Sequence, residues 1–290
     1  MSTVVRDDPV SAAGRWVVRH VPDWPAFAGP DWLDRVMTTD VPDREHRKQG
    51  RAIGRWTLTA PDGRTLVVYL KRHFELPRRN GWLSKVFPSR AWSPGLQEWD
   101  NLQRAAAAGL PVPRAVAAGE WRGPGGRLQS FLAVEELTDQ WPLHEAIPLV
   151  AERLSPVEFD RWKRGLTAEV ARLSHQLHGQ RLAHRDLYLC HFYTADVDTR
   201  RVPANWYGRV TVIDFHRLGR LRFGWGRVKE LGQLLYSTAG VAGLTPADRR
   251  RFWAVYRSFW GSSHFVARLT QIGAELRAAR HLRHNARAGG

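Results

Sequence analysis

The hydrophobic pattern turns mainly helical beyond residue 137, and that change divides the chain into two kinds of structure. Before it, apolar residues come in short β-rich runs. Gly50-Arg51-Ala52-Ile53-Gly54-Arg55-Trp56-Thr57-Leu58 leads through the turn Pro61-Asp62-Gly63-Arg64 into Leu66-Val67-Val68-Tyr69-Leu70-Lys71, the signature of a hairpin with an Asp-Gly turn. Residues 114–121 and 131–137 predict two more strands of the same sheet, split by a Gly/Pro loop at 123–126. Between the hairpin and these strands, Ser93-Pro94 opens a helix with Ser as N-cap. Leu96, Trp99 and Leu102 recur at helical spacing in it, and Gly109 and Pro111 stop it. After residue 137 the period is helical. Ser155-Pro156-Val157-Glu158 forms a capping box, followed by the stripe Phe159, Trp162, Leu166, Val170, Leu173 and Leu177. Further helices are predicted near 227–238, 246–260 and 264–283, the middle one capped by Thr245-Pro246-Ala247-Asp248. Scattered Trp and Pro up to about residue 45 predict irregular structure with one or two short strands. The fold class is α+β, with an antiparallel sheet and one helix over 1–137 and a mainly helical part over 138–290.

The chemistry concentrates in two acidic residues. Asp186 follows His184-Arg185 in a polar turn, and Asp214 closes the buried strand Val210-Thr211-Val212-Ile213. A catalytic-loop H-R-D followed by a D-F-G is how protein kinases present a base and a Mg²⁺ ligand; here the strings are H-R-D-L-Y-L-C-H and D-F-H. The stretch between the two aspartates, which are 28 positions apart, includes a polar insertion, 195–209, predicted to form a hairpin loop. In such a two-lobe fold, Gly50 and Gly54 lie over the ATP phosphates, although Gly50-x-x-x-Gly54 is not the kinase spacing and glycine at a hairpin also serves backbone geometry. Lys71 reaches the α- and β-phosphates, and Glu98, on the helix after Ser93, pairs with it. Backbone groups near Glu135 and Leu137 are placed to hydrogen-bond adenine.

Composition narrows the partners. The chain has 290 residues with 43% hydrophobic positions, and its 44 Lys and Arg against 28 Asp and Glu give a net charge of +16. From Phe215 onward there are 14 basic residues and three acids, Glu230, Asp248 and Glu275. An anionic partner or a merely solvated basic surface both satisfy that bias. Salt-sensitive binding to nucleic acid is expected of any such protein and implies no specific nucleic-acid partner. The single cysteine, Cys190, excludes an internal disulfide and points to a reducing compartment. The N-terminus lacks the apolar core of a signal peptide, and no apolar run reaches transmembrane length, so a cytoplasmic protein with only peripheral membrane contact is expected. Residues 73–92 interleave Arg78, Arg79, Lys85 and Arg90 with Phe74, Trp82, Phe87 and Trp92. They are read either as a membrane or glycolipid contact or as a packed connection. A similar Gly/Arg/aromatic loop is expected at 219–226.

His184-Arg185-Asp186-Leu187-Tyr188-Leu189-Cys190-His191-Phe192 with Val212-Ile213-Asp214-Phe215-His216-Arg217 resembles the lipopolysaccharide kinase family of Gram-negative bacteria, the Kdo and inner-core heptose kinases. The likeness extends to Leu70-Lys71, Gln97-Glu98-Trp99, residues 109–113 and the stretches Lys229-Glu230-Leu231 and Gly243-Leu244-Thr245, spanning roughly 45 to 260. It implies a protein-kinase-like fold, ATP with Mg²⁺, and phosphorylation of a core sugar hydroxyl, Kdo or heptose, at the cytoplasmic face of the inner membrane. The partner it implies is lipopolysaccharide core or a related anionic glycolipid. Asp186 then takes the hydroxyl proton, Asp214 holds Mg²⁺, and Lys71, fixed by Glu98, neutralises phosphate. His191 stands where protein kinases carry Asn, as it does in the resembled family; it contacts the metal or hydrogen-bonds a phosphate or an Asp. His216 in place of the D-F-G glycine implies a constitutively formed loop. Two rivals remain: a soluble aminoglycoside- or choline-type kinase, which normally carries Asn at the His191 position, and a basic pseudokinase acting as a binding module.

Overall fold

The computed structural model describes residues 14–41, 43–48, 50–221, 223–260 and 264–288; the expectations for residues 1–13 and Arg222 fall outside them. The chain divides into two compact units. One comprises residues 1–104 and 113–137, the other 105–112 and 138–290. Residues 105–112, placed in the first part on sequence, therefore group with the second.

The first unit is built on an antiparallel sheet. In chain order it contains β1 (Arg15–His20), α1 (Trp24–Ala28), α2 (Trp32–Arg35), β2 (Asp43–Lys48), β3 (Arg51–Thr59), β4 (Thr65–His73), α3 (Arg78–Val86), α4 (Pro94–Ala107), β5 (Ala115–Arg122) and β6 (Leu128–Glu135). The six strands run in the order β1-β5-β6-β4-β3-β2. The Asp-Gly turn closes the β3–β4 hairpin, with Gly63 at φ 85° and the Ala60 N–H bonded to the Arg64 carbonyl at 2.9 Å. Alternation along β4 buries Leu66, Val68 and Leu70 on one face and sends Lys71 to the other. Lys71 is paired in register with Ile53 on one side and Leu132 on the other, so it sits on an interior strand. The helices α1 and α2 correct the expectation of irregular structure before residue 45. At five and four residues they are too short to show a period, yet Trp24 and Trp32 are buried and meet edge to face at 5.8 Å.

Helix α4 begins as expected, with Ser93 Oγ accepting from the Leu96 N–H at 3.4 Å and Leu96, Trp99 and Leu102 buried. A β-carbon on Gly95 would overlap the Phe131 carbonyl, so glycine is what lets this helix start so close to β6. Residues 73–92 are packed on one side and exposed on the other. Helix α3 packs through Gly81 and Ser84, while Trp82, Val86 and Phe87 are exposed; Lys85 lies 5.1 Å above the Trp82 ring and Arg90 4.7 Å above that of Trp92.

The second unit is mainly helical. It contains β7 (Gln140–Pro142), α5 (Leu143–Arg153), α6 (Pro156–Gly179), β8 (Leu182–Ala183), β9 (Phe192–Ala195), α7 (Asp196–Thr199), β10 (Val210–Val212), β11 (Gly219–Arg220), α8 (Phe223–Ser237), α9 (Pro246–Ser258) and α10 (His264–Ala288). Its small sheets have the orders β10-β9-β7 and β11-β8. The Ser155 capping box forms: Glu158 Oε2 accepts from the Ser155 N–H at 3.2 Å, and α6 buries Trp162, Leu166, Val170, Leu173 and Leu177. The insertion 195–209 joins β9 to β10, but it is more than a loop. It contains α7, and its Trp206 packs edge to face on Trp162 at 5.2 Å, over Gly165. Residues 219–226 are not a loop either, since β11 takes the first two and α8 starts at Phe223.

His73 makes the first unit acid-sensitive. It is buried at the end of β4, and burial, followed by the nearby charges of Arg51 and Lys71, lowers its pKa from 6.5 to about 4. A depressed folded-state value means that the unfolded chain binds the proton more readily. The stabilisation is therefore complete above the ordinary value of 6.5 and drains away as the pH falls from there towards about 4. Urea unfolding of His73→Leu should show a flatter dependence over that interval than the natural chain; parallel curves would refute the assignment.

Candidate active site

The geometry in the first unit centres on Lys71. Its ammonium donates to Glu98 Oε1 at 2.7 Å, and Glu98, on α4, is only 5% exposed. The carboxylate sits on the turn between Gly95 and Leu102, so the capping at Ser93 that starts α4 also aims Glu98 at the strand. Gly50 lies in the turn between β2 and β3 at φ 72°, and its carbonyl accepts from the Phe74 N–H at 2.8 Å. Gly54 is instead inside β3, opposite Leu70, in regular strand pairing. The Glu135 N–H is used by the Arg114 carbonyl and the Glu136 N–H by the Val67 carbonyl, both within the sheet. Of the adenine-facing stretch read from sequence, that leaves carbonyl oxygens and Leu137.

In the second unit the two aspartates share one local architecture. Val212 and Ile213 are tied down by backbone bonds from Val212 N to the Pro111 carbonyl and from Ile213 N to the His191 carbonyl, at 2.8 and 2.9 Å. His184, fully buried, donates from Nε2 to the Ile213 carbonyl at 2.8 Å, linking the residue before Asp214 to the loop that carries Asp186. Burial lowers the His184 pKa, against the pull of that carbonyl, and keeps the ring neutral. His191 donates from Nδ1 to the Asp186 carbonyl at 2.7 Å, which turns its Nε2 towards Asp214 Oδ2 at 3.7 Å. Burial opposes protonation of His191, but hydrogen bonds to the Cys190 side chain and the Asp186 carbonyl, with the Asp214 charge, raise its pKa overall.

The turn after Asp214 supplies a partner to each acid. His216 Nδ1 lies 2.6 Å from Asp214 Oδ1, and Arg217 Nη1 donates to both oxygens of Asp186 at 2.8 and 3.0 Å. Arg185 and Asp214 hold left-handed backbone conformations, φ 72° and 66°, which cost a non-glycine residue roughly 1–2 kcal/mol each. Helix α8 stabilises the first. Glu230, Gln233 and Ser237 line one of its faces: Glu230 Oε1 accepts from the Arg185 N–H, Gln233 donates to the Arg185 carbonyl at 3.3 Å, and Ser237 Oγ accepts from the Leu189 N–H at 2.8 Å. Behind Glu230, His178 donates to Oε2 at 2.9 Å and is bonded to the Tyr256 hydroxyl at 2.8 Å.

Sequence reading singled out the two aspartates, Lys71, Glu98 and His191, and gave no role to Arg217, Glu230, Gln233 or Ser237. The signal for the last three was present as polar residues three and four apart among Leu231, Leu234 and Leu235. Among the described residues no three His, Cys, Asp or Glu side chains form a metal cluster. Asp214 with His191 beside it is a sparse donor set, which suits Mg²⁺, an ion that completes its shell with water and phosphate oxygens rather than with protein.

Comparison with known proteins finds similar sequences and similar solved structures. Two curated relatives are named lipopolysaccharide core heptose(I) kinase WaaP. The one from Pseudomonas aeruginosa is 35% identical over 164 residues, and that from Escherichia coli K12 31% identical over 163. Each match covers 55% of this chain and 58% of the relative, so the matched stretch spans little more than half the length of either. A solved structure titled WaaP in complex with acyl carrier protein superposes with a TM-score of 0.62 at 28% identity, covering 91% of this chain and 99% of that one. The family model of the lipopolysaccharide kinases matches residues 44–256, across both aspartates, Lys71 and Glu98, and the chain belongs to the lipopolysaccharide kinase (Kdo/WaaP) family.

Proposed function

We propose that the chain is an ATP- and Mg²⁺-dependent kinase that phosphorylates a sugar hydroxyl of the lipopolysaccharide inner core, a heptose in preference to Kdo because the curated relatives are heptose kinases. The observation that carries the reading is the 2.7 Å Lys71–Glu98 ion pair. Phosphate binding needs a strand ammonium fixed in place, and the helix carboxylate fixes it. ATP with Mg²⁺, when bound, brings the phosphoryl group with part of its charge neutralised. Lys71 would neutralise more, and Asp214, whose Oδ1 lies beside His216 Nδ1, would hold the metal, with His191 Nε2 facing the Asp214 carboxylate. Gly50 offers backbone at the β2–β3 turn, and adenine is met by Leu137 and the carbonyl of Glu135. Asp186 accepts the proton of the attacking sugar hydroxyl, oriented through the Arg185 backbone by Glu230 and Gln233.

The acceptor's location adds the membrane. No helix among the described residues is long and apolar enough to cross one. We assign the enzyme to the cytoplasmic face of the inner membrane, with Trp82, Val86 and Phe87 and their neighbouring cations as one peripheral contact. We also extend to this chain the partner in the solved relative's title, acyl carrier protein. Native mass spectrometry of the purified protein should then show a complex with acyl carrier protein.

The central test is mass spectrometry of lipopolysaccharide from cells with and without the protein, in which one phosphate on a core heptose should be missing. With purified protein, Asp186→Asn should lower turnover on core oligosaccharide by about 10³-fold while nucleotide binding persists. Phosphorylation of aminoglycosides alone, or unaltered turnover in Asp186→Asn, would defeat the reading. Glu230→Ala removes the acceptor that faces Arg185 and leaves His178 Nε2 without its partner. It should destabilise the fold by about 3 kcal/mol and lower kcat more than it raises KM, with Glu230→Gln recovering part of both. Thermal unfolding together with steady-state kinetics checks this.

A further inference from the structure

Helix α10 packs with the wrong residues inside. Against α8 it buries Ala267, Thr270, Ala274 and Ala278, and the two helices come close enough that a β-carbon on Gly232 would lie 3.1 Å from Arg277 Cβ and 3.2 Å from the Ala274 carbonyl. The large apolar side chains point the other way. Phe265, Leu269, Ile272 and Leu276 are 74%, 52%, 45% and 64% exposed, and their spacing of four, three and four residues makes a single stripe about 16 Å long. A helix stabilised only through its core face would place these residues inward, since each would gain by burial what an alanine cannot. Exposing four in a row on one line marks a surface meant to be covered.

The charges around the stripe say by what. Arg268 and Arg280 flank it, Arg283 continues its line beyond Leu276, and the only acid in the helix is Glu275 at its edge. A second copy of the chain would bring the same arginines face to face, in a protein already at +16. A large apolar stripe bordered by arginines matches instead a boundary between acyl chains and anionic headgroups, where the side chains enter the lipid and the guanidinium groups stay among phosphates.

We propose that the outward face of α10 docks on an anionic phospholipid bilayer. The helix lies in the plane of the surface; it does not cross it. The docking itself does not depend on catalysis, although its use, bringing the protein to a lipid-borne acceptor, rests on the reading given above.

Flotation of the full chain with phosphatidylethanolamine vesicles containing phosphatidylglycerol, against phosphatidylcholine vesicles, reads the docking directly. The natural chain should float with the anionic vesicles only. Partitioning should fall on the order of tenfold for each of Leu269→Gln and Leu276→Gln, and about fivefold for each of Arg280→Gln and Arg283→Gln. All four positions are exposed, and circular dichroism checks that the helices persist. Three results would overturn the proposal: a natural chain that stays soluble, variants that float as it does, or a stripe that mediates self-association or binding of acyl carrier protein while leaving flotation unchanged. Turnover on delipidated core oligosaccharide separates the two ideas, since activity without flotation removes only the docking and flotation without activity removes only the kinase.

Discussion

A carboxylate with no access to water governs the catalytic loop. Glu230 is 1% exposed, and burying its charge would cost several kcal/mol were it not supplied with donors from two directions. One is the Arg185 N–H and the other is His178 Nε2–H. The other ring nitrogen, Nδ1, lies 2.8 Å from the Tyr256 hydroxyl and continues the line of bonds. Burial pushes the Tyr256 pKa up, so the hydroxyl keeps the proton that this chain of bonds requires. Three elements, α6, α8 and α9, thus meet at one polar line whose free end is the backbone of the residue before Asp186. Their apolar packing and the position of Asp186 are parts of one arrangement, and neither can shift without breaking a bond that water cannot replace.

The left-handed residues lie where this bracing ends. Arg185 is gripped at its N–H by Glu230 and at its carbonyl by Gln233, while the residue before Asp214 is gripped at its N–H by the His191 carbonyl and at its carbonyl by His184. Strain of a kcal/mol or two persists only when neighbouring bonds over-determine the conformation, and here each strained position has a clamp on both sides of a peptide. Gly219 completes the fit, since a β-carbon there would run into the Arg185 guanidinium.

What could be read in the sequence followed from periods and caps. The hairpin around Gly63, the α4 start at Ser93 and the α6 start at Ser155 are each specified within four residues, and Lys71 and Glu98 come with the elements that carry them. The remainder was invisible for particular reasons. Helices α1 and α2 are shorter than any period. Helix α5 went unread with Pro148 inside it, and Trp206 gives an insertion that reads as loop a place in the core over Gly165. Arg217 could not be placed because its partner lies thirty-one positions earlier, a distance that only the fold closes. The 246–258 helix was read correctly because its cap is local: Asp248 Oδ2 accepts from the Thr245 N–H at 2.9 Å.

The histidine at position 216 shows why the loop after Asp214 differs from a glycine-bearing one. Glycine there would leave the turn free to rearrange. His216 and Arg217 instead attach consecutive residues of one 3-10 turn to the two acids, His216 to Asp214 and Arg217 to Asp186. The attachment leaves Asp186 usable. A single nitrogen, Nη1, bridges both of its oxygens, whereas an ionised carboxylate offers about four acceptor sites, so room remains for a substrate hydroxyl. Arg217 is also half exposed, so a second anion arriving nearby can draw the guanidinium away without desolvating it. The turn therefore fixes where both carboxylates point before any substrate is present, which is the form of preorganisation that phosphoryl transfer rewards, since positioning is most of what the protein contributes to it.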